Sequence, residues 1–361
     1  RFGITNTGLI RYLSGADKSK RIQLIGSNAL LSLTVTIIIA LIIFLCNLIF
    51  PEAIQNSGFH LFFRWYPILA FLNLPWNNAL VLLQADRKFG KILVLKSINS
   101  ICFFMVIAFN ALFLDMSLTQ LIWSFLVINT LTSSLSMIAG WDGLIYLFKA
   151  GKDTNMELLH FGKYTTFTLI GSNLLRSADT LIISLSPLGN EAVALFSIPL
   201  KLTELQLIPL RSFTATAFPK MSEASIQHKI KELRQLFYTY TGAMTYLLVL
   251  ISVCTFIFAD LFVLLLAGEK FLVPDAVTGI NAADIVRVFS FYGLLLPIDR
   301  MTGIALDSIN KPHINALKVL AMVVFNILGD LIAVFLFESL ILVAIATIIF
   351  TLIGIGLGMY F

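Results

Sequence analysis

Charged residues are scarce in this sequence of 361 residues. Asp, Glu, Lys and Arg make up 12% of the chain, which is about half the share found in an ordinary soluble domain. Hydrophobic residues make up 58%, and the mean hydropathy is +0.92. Apolar runs near the ~20 residues that span a bilayer recur, whereas short segments of alternating polarity are missing. This composition excludes a soluble fold and predicts an all-α polytopic membrane protein.

Cysteine and histidine are scarce too. Cys46, Cys102 and Cys254 all lie in hydrophobic runs, where cysteine acts as a small packing residue rather than as a disulfide or a metal ligand. The four histidines are scattered, and neither HExxH nor CxxC occurs. We therefore expect no metal site and no resident cofactor. The chain begins with arginine, and no signal peptide precedes the first apolar run, so we expect its natural start to be missing.

Ten apolar segments are long enough to cross a membrane. Residues 1–14 resemble the end of an earlier span. The ten predicted spans are 22–50, 59–83, 91–114, 118–147, 161–186, 191–218, 234–258, 283–309, 313–336 and 339–361.

Positive charge alternates between the connections that join these spans. Lys and Arg accumulate on the cytoplasmic side of membrane proteins, so the basic set of connections is predicted to be cytoplasmic. That set holds Arg11, Lys18, Lys20, Arg21, Arg87, Lys88, Lys91, Lys149, Lys152, Lys163, Lys220, Lys229, Lys231, Arg234 and Lys311. The alternate set, formed by 51–58, 115–117, 187–190, 259–282 and 337–338, holds only Lys270.

A polar connection lies in the middle of the chain, at residues 148–163. It predicts a joint between two halves. We therefore predict an N-terminal lobe at 1–150, a cytoplasmic linker at 151–160 and a C-terminal lobe at 161–361.

Residues 74–91 and 296–313 read alike. Each has a Leu-Pro near mid-span, an apolar stretch and a polar exit. Such an internal repeat would give an intact protein of twelve spans in two six-helix halves.

The stretch 220–237 mixes charges with apolar residues at helical spacing. The apolar positions are Ile226, Ile230, Leu233 and Phe237. The pattern predicts either a short helix at the membrane surface or the start of the next span.

Several ionisable residues lie inside the predicted spans. A charge at the middle of a membrane costs about 2.5–3.5 kcal/mol, so such residues face a bundle interior or a hydrated cavity. The candidate substrate-binding cations are Arg176, Lys201, Arg211, Arg300 and Arg64. The candidate acids for ion coupling or charge tuning are Asp179, Glu204, Asp299 and Asp330.

Two short-range patterns sharpen this choice. Lys201, Glu204 and Arg211 fall within about 80° of arc on a helix and form one polar stripe. Lys201 and Glu204 can also form a structural ion pair, whereas Arg211 has no acid within reach on its own helix. Arg176 and Asp179 either neutralise each other or face a shared cavity. The excess of basic over acidic residues at depth favours an anionic cargo.

Four stretches of the chain resemble one family, the oligosaccharide flippases of bacterial polysaccharide biosynthesis. This family lies within the multidrug/oligosaccharidyl-lipid/polysaccharide exporter superfamily. The stretches are FGITNTGLIRYLSGAD (2–17), LVLLQADRKFGK (80–91), LIGSNLLRSADTLIISLSPLGNEAVALFSIPLKL (169–202) and FTATAFPKMSEA (213–224). The third stretch is similar to the family's seventh helix and its turn into the eighth, and it places Asp179 at the family's recurring acidic position.

The resemblance implies a twelve-helix, two-lobed (6+6) exporter in the bacterial cytoplasmic (inner) membrane. It implies movement of a polyprenyl-diphosphate-linked oligosaccharide to the outer leaflet by alternating access, with protons or sodium ions as candidate coupling species. The expected partners are this glycan lipid, membrane lipids and other polysaccharide-assembly membrane proteins, with no nucleic acid.

Three alternatives stay open. A cation-coupled multidrug antiporter of the same superfamily would favour acidic sites. A polytopic glycan-processing enzyme would carry a large outer loop with catalytic residues, whereas the longest predicted outer loop, 259–282, is short and has no histidine. A flippase of the lipid-II type would differ mainly by further helices after the twelfth.

Overall fold

A computed structural model of the chain describes residues 3–55, 60–274 and 279–361. These ranges contain α-helices, two short 3₁₀ helices (Leu144–Lys149 and Glu269–Leu272) and no strand. The α-helices are α1 (Gly3–Leu13), α2 (Lys18–Ile49), α3 (Pro51–Gln55), α4 (His60–Leu72), α5 (Leu74–Ala85), α6 (Phe89–Phe113), α7 (Leu118–Ile138), α8 (Lys152–Ser184), α9 (Gly189–Ile226), α10 (Ile230–Ile257), α11 (Ala259–Ala267), α12 (Ala282–Ser308), α13 (Pro312–Phe335) and α14 (Leu340–Tyr360).

Most of the long helices can cross a membrane. Among the described residues, seven helices are long and apolar enough: α2, α6, α7, α9, α10, α13 and α14. The pair α4 and α5, bent by 50°, makes an eighth if it is counted as one span. The remaining two predicted spans fall on α8 and α12, which are 33 and 27 residues long and carry deep charges. The predicted all-α polytopic fold is confirmed.

The bend between α4 and α5 has a local cause. Pro75 stands at the start of α5, where it cannot donate the backbone hydrogen bond that would continue α4. Asn73 still donates to the carbonyl of Leu69 at 2.9 Å, so the break is confined to about one residue. In contrast, Pro297 lies inside α12, which runs through it as a single helix.

Three helix exits share one turn. Arg87, His228 and Asn310 have φ angles of 59°, 55° and 64°. In each case the amide of the following lysine donates to a carbonyl five residues earlier, which is the hydrogen bond that closes a left-handed helix end. The bonds join Lys88 to Leu83 (2.8 Å), Lys229 to Ala224 (2.9 Å) and Lys311 to Leu306 (2.8 Å). The helix pairs α5–α6, α9–α10 and α12–α13 are therefore tight hairpins.

The stretch 220–237 forms no separate surface helix. Its first part completes α9, which ends at Ile226, and its last part begins α10 at Ile230. The interpretation that this stretch begins the next span holds for its last part, from Ile230 onward. The physical reason is the turn at His228, which reverses the chain within three residues and leaves no independent segment.

Residues 1–162 form one compact unit. Leu80 of α5 and Leu95 of α6 are buried in one of its clusters. The first turns of α8 belong to this unit, because the ring of Phe161 packs edge-on against Tyr12 at 5.8 Å. Residues 152–160 of the predicted linker are thus helical. The lobe boundaries drawn from the sequence stay a prediction.

Residues 163–361 form the second unit. The helix α12 packs against α9, α10, α13 and α14, so it occupies the centre of this unit. Gly293 allows the close approach: a Cβ atom there would lie 2.5 Å from Gln206 Oε1 on α9 and 2.6 Å from Ser252 Oγ on α10. The phenyl rings of Phe196 and Phe289 meet edge-on at 5.4 Å in the core.

Candidate functional site: a charged cavity and two buried polar clusters

The second unit contains an open cavity of about 880 Å³. Its walls come from α8, α9, α11 and the 3₁₀ helix Glu269–Leu272. One group of lining side chains is charged: Arg176, Lys201, Glu204 and Arg211. A second group is apolar and includes Leu205, Ile208, Leu266 and Phe271. The cavity therefore combines a charged wall with an apolar one.

The charged wall follows from the period of α9. Lys201, Glu204 and Arg211 are spaced by three and seven residues, which places them on one face of a helix. Glu204 lies 3.3 Å from Lys201 Nζ and 3.9 Å from an Arg176 guanidinium nitrogen on α8. The structural pair expected between Lys201 and Glu204 is thus present, and both partners also line the cavity.

Arg211 stands apart from these pairs. Within the described ranges, no carboxylate lies within 4 Å of its guanidinium group, and its side chain is exposed to the cavity. A guanidinium group offers five fixed N–H donors that suit carboxylate or phosphate oxygens. Arg211 is therefore available to a ligand.

A buried cluster of two carboxylates joins α8 to α13. One amide nitrogen of Asn326 donates to Asp179 Oδ1 at 3.0 Å and to Asp330 Oδ2 at 3.1 Å. Thr347 Oγ1 donates to Asp179 Oδ2 at 3.5 Å. Asp179 and Asp330 are 3% and 0% exposed. No basic side chain of the described residues forms an ion pair with either acid, so Asp179 is paired with Asn326 and not with Arg176.

A second buried cluster joins α12 to α13. Lys318 Nζ lies 2.7 Å from Asp299 Oδ1 and donates to the Asp299 carbonyl at 2.7 Å and to Thr302 Oγ1 at 2.9 Å. The attraction between the Lys318 ammonium group and Asp299 Oδ1 is purely ionic. The hydrogen bonds of the ammonium group go to the Asp299 carbonyl oxygen and to Thr302 Oγ1 instead. Lys318 is 3% exposed. Asp299, a candidate coupling acid in the sequence, is thus held by a structural partner.

The remaining predicted cations do not line the cavity. Arg64 belongs to the first unit, where its guanidinium group lies 5.5 Å from the Trp65 ring. Arg300 lies on α12 and is half-buried.

Sequence reasoning missed the two side chains that donate most of the hydrogen bonds in these clusters, Lys318 and Asn326. Lys318 lies six residues after the start of α13, where a lysine is typical of a helix end near the membrane surface. Asn326 is uncharged, so a search for deep ionisable residues passes over it. The only available signal was its spacing of four residues from Asp330, which places the two side chains on one helix face.

The fold has clear relatives among solved structures. An outward-facing multidrug resistance MATE family transporter of the MOP superfamily matches with a TM-score of 0.77 and 14% identity, over 99% of this chain and 82% of that one. A variant of the Vibrio cholerae MATE transporter VcmN matches with a TM-score of 0.80 and 13% identity, over 99% and 82%. A MOP superfamily transporter from Pyrococcus furiosus, described by a binding pocket of reverse polarity that suggests a different function, matches with 0.79 and 14%, over the same shares. This chain therefore has the fold of the MOP exporters.

Residues 18–274 match the family described as polysaccharide biosynthesis protein, and the chain belongs to that family. No curated protein matches the sequence. Family and fold together define a multi-pass membrane protein of the polysaccharide biosynthesis family with the fold of the MOP exporters.

Proposed function

We propose that this protein is a flippase that moves a polyprenyl-diphosphate-linked oligosaccharide across the bacterial cytoplasmic membrane by alternating access. The observation that carries the proposal is the charged wall of the 880 Å³ cavity. Among the described residues, three cations from two helices face this space with a single carboxylate. Membership of the polysaccharide biosynthesis family supports a glycan cargo.

The charge balance of the wall selects an anion. Arg176, Lys201 and Arg211 outnumber Glu204 by three to one, which leaves a net charge of +2. A diphosphate that leaves water must exchange its hydration for fixed donors, and arginine offers two parallel hydrogen bonds to phosphate oxygens. The apolar wall beside these charges suits the first carbons of a lipid tail. The cavity thus has a place for both parts of a lipid diphosphate.

A multidrug antiporter is the main competing function, because the structural relatives include multidrug transporters. A cavity for cationic drugs would need an excess of acids, whereas this wall has an excess of bases. The Pyrococcus furiosus transporter, with its binding pocket of reverse polarity, indicates that the polarity of the pocket varies within this fold.

The acid pair Asp179 and Asp330 is the proposed coupling site. Both carboxyl groups are buried, and each is within hydrogen-bonding reach of the other. Two like charges ~4 Å apart at an effective dielectric constant of ~20 repel by about 4 kcal/mol. A proton or a sodium ion removes that repulsion. Occupancy of the pair by one of these ions would link the ion gradient to the cycle.

Glycan export in cells that depend on the full-length protein tests the cargo. Arg211→Ala should abolish surface glycan while the protein still inserts, because truncating a charged partner costs about 2–5 kcal/mol. Arg211→Lys should keep part of the activity, since a point charge still meets phosphate. Arg234→Ala on α10 is the matched control, because this arginine is exposed outside the cavity. Normal export by Arg211→Ala and Arg176→Ala alike would refute an anionic cargo.

Ion dependence of the purified transporter tests the coupling pair. Asp179→Asn should weaken the response of transport to a proton or sodium gradient, because the repulsion between two buried carboxylates that a bound cation relieves is then absent. Glu191→Gln, at the exposed first turn of α9, should keep that response. An unchanged response in Asp179→Asn and in Asp330→Asn would place the coupling site elsewhere.

A further inference from the structure

Glu204 holds a particular position in the cavity. Within the described part of the chain, it is the only carboxylate that lines this space. Its two oxygens lie near two cations from different helices, Lys201 of α9 and Arg176 of α8. The side chain is 53% exposed, so a ligand in the cavity can reach it.

Glu204 is not part of the packed core. Core side chains of α9 such as Phe196 and Leu210 are 1% and 2% exposed and lie on other faces. An ion pair as exposed as this one contributes little to folding stability. Its position near Arg176 and Lys201 therefore calls for a role other than packing.

A carboxylate and a phosphate compete for the same donors. Both present oxygen atoms with negative charge to a guanidinium or an ammonium group, and both accept charge-assisted hydrogen bonds. When the cavity holds no cargo, Glu204 occupies Arg176 and Lys201, whereas Arg211 has no such partner among the described residues.

We propose that Glu204 is an internal counter-anion that the cargo's diphosphate displaces from Arg176 and Lys201. This inference rests on the proposed function. Arg211 makes the first contact with the diphosphate, and the other two cations follow as Glu204 moves away. The return of Glu204 to the two cations promotes release. The carboxylate thus lowers affinity so that a cationic cavity does not trap an anionic lipid.

The magnitude follows from the two ion pairs. Removing a competitor that holds two partly exposed cations should tighten binding by roughly three- to tenfold. Glutamine keeps the shape of glutamate but carries no charge, so Glu204→Gln isolates this effect. Glu204→Ala removes the charge without adding an amide, and it should tighten binding to a similar extent.

Binding of geranylgeranyl diphosphate to the full-length protein in lipid nanodiscs tests the proposal. Uncharged geranylgeraniol serves as the control ligand. We expect Glu204→Gln and Glu204→Ala to bind the diphosphate three- to tenfold more tightly than the unchanged protein, with slower dissociation. Glu191→Gln, which removes a carboxylate from the same helix outside the cavity, should bind like the unchanged protein.

Two failures can be told apart. Suppose the unchanged protein prefers the diphosphate to the alcohol and Arg211→Ala loses that preference. Equal or weaker binding by either Glu204 variant then overturns the counter-anion role and leaves the proposed function intact. If the unchanged protein shows no preference for the diphosphate over the alcohol, both the proposal of an anionic cargo and the proposed role of Glu204 are refuted.

Discussion

Replacing Lys318 by methionine is expected to destabilise the second unit strongly. Lys318 is 3% exposed, and its ammonium group contacts the carboxylate and the carbonyl of Asp299 as well as Thr302 Oγ1. Methionine fills most of the same volume but carries no charge. The carboxylate of Asp299, whose side chain is 10% exposed, would then lie without its partner.

The expected cost follows from that unpaired charge. Removing one partner of a buried ion pair costs about 3–5 kcal/mol, whereas replacing both partners by neutral groups is often close to neutral. In a unit of this size, such a loss lowers the melting temperature by on the order of 10 °C. The double variant Asp299→Asn with Lys318→Met should recover most of the loss.

Thermal unfolding of the detergent-purified protein measures these differences. Lys311→Met is the matched control, because this half-buried lysine precedes α13 and makes no ion pair among the described residues, only one hydrogen bond to the Phe361 carbonyl. A change of less than about 1 kcal/mol for Lys318→Met would refute the reasoning. So would a double variant that is less stable than Lys318→Met alone.

Two further predictions concern the first unit. Gly26→Ala should lower the melting temperature by several degrees, because its Cβ would lie 2.2 Å from the backbone carbonyl oxygen of Tyr146. Relieving this clash requires a shift of the backbone, which costs more than the rotation of a side chain. Gly90→Ala, with open space at this position, should leave stability equal or slightly raised, since alanine favours helix; equal effects of the two variants in thermal unfolding would contradict this. Burial raises the pKa of the Asp86 carboxyl, but hydrogen bonds and charges from Arg21 and a neighbouring lysine outweigh it and hold the pKa below the ordinary 3.8. The stability that this acid contributes is therefore present above about pH 4 and is lost as pH falls further. Asp86→Asn should be less stable than the unchanged protein at pH 7. Thermal unfolding at several pH values should show this difference in stability shrinking below pH 4.

The spans were predictable because the bilayer selects directly for long apolar runs, which a single sequence displays. Lys201, Glu204 and Arg211 were predictable for a related reason: their period of three and seven residues appears within one helix. The contact between α8 and α9 through Arg176 and Glu204 was not predictable, because a contact between two helices leaves no pattern within either helix. The same holds for Lys318 and Asp299, which lie on different helices of one hairpin.

Two alternatives that the sequence left open are decided by local contacts. The predicted surface helix at 220–237 did not form, because a left-handed residue at His228 joins two long helices directly. The acid Asp179 does not neutralise Arg176, although the two are three residues apart. The Asp179 carboxylate accepts a hydrogen bond from Asn326 in the core, whereas the Arg176 guanidinium group lines the cavity and contacts Glu204.

Movement of a fluorescent polyprenyl-diphosphate-linked sugar across proteoliposomes tests the central claim most directly. A reductant that cannot cross the membrane quenches only the probe in the outer leaflet. With the full-length protein, the protected fraction should fall well below that of empty vesicles, and Arg211→Ala should restore the protection. An uncharged analogue that lacks the diphosphate should stay protected. Equal movement of both lipids, or movement by Arg211→Ala as fast as by the unchanged protein, would contradict an anionic lipid cargo held by this cavity.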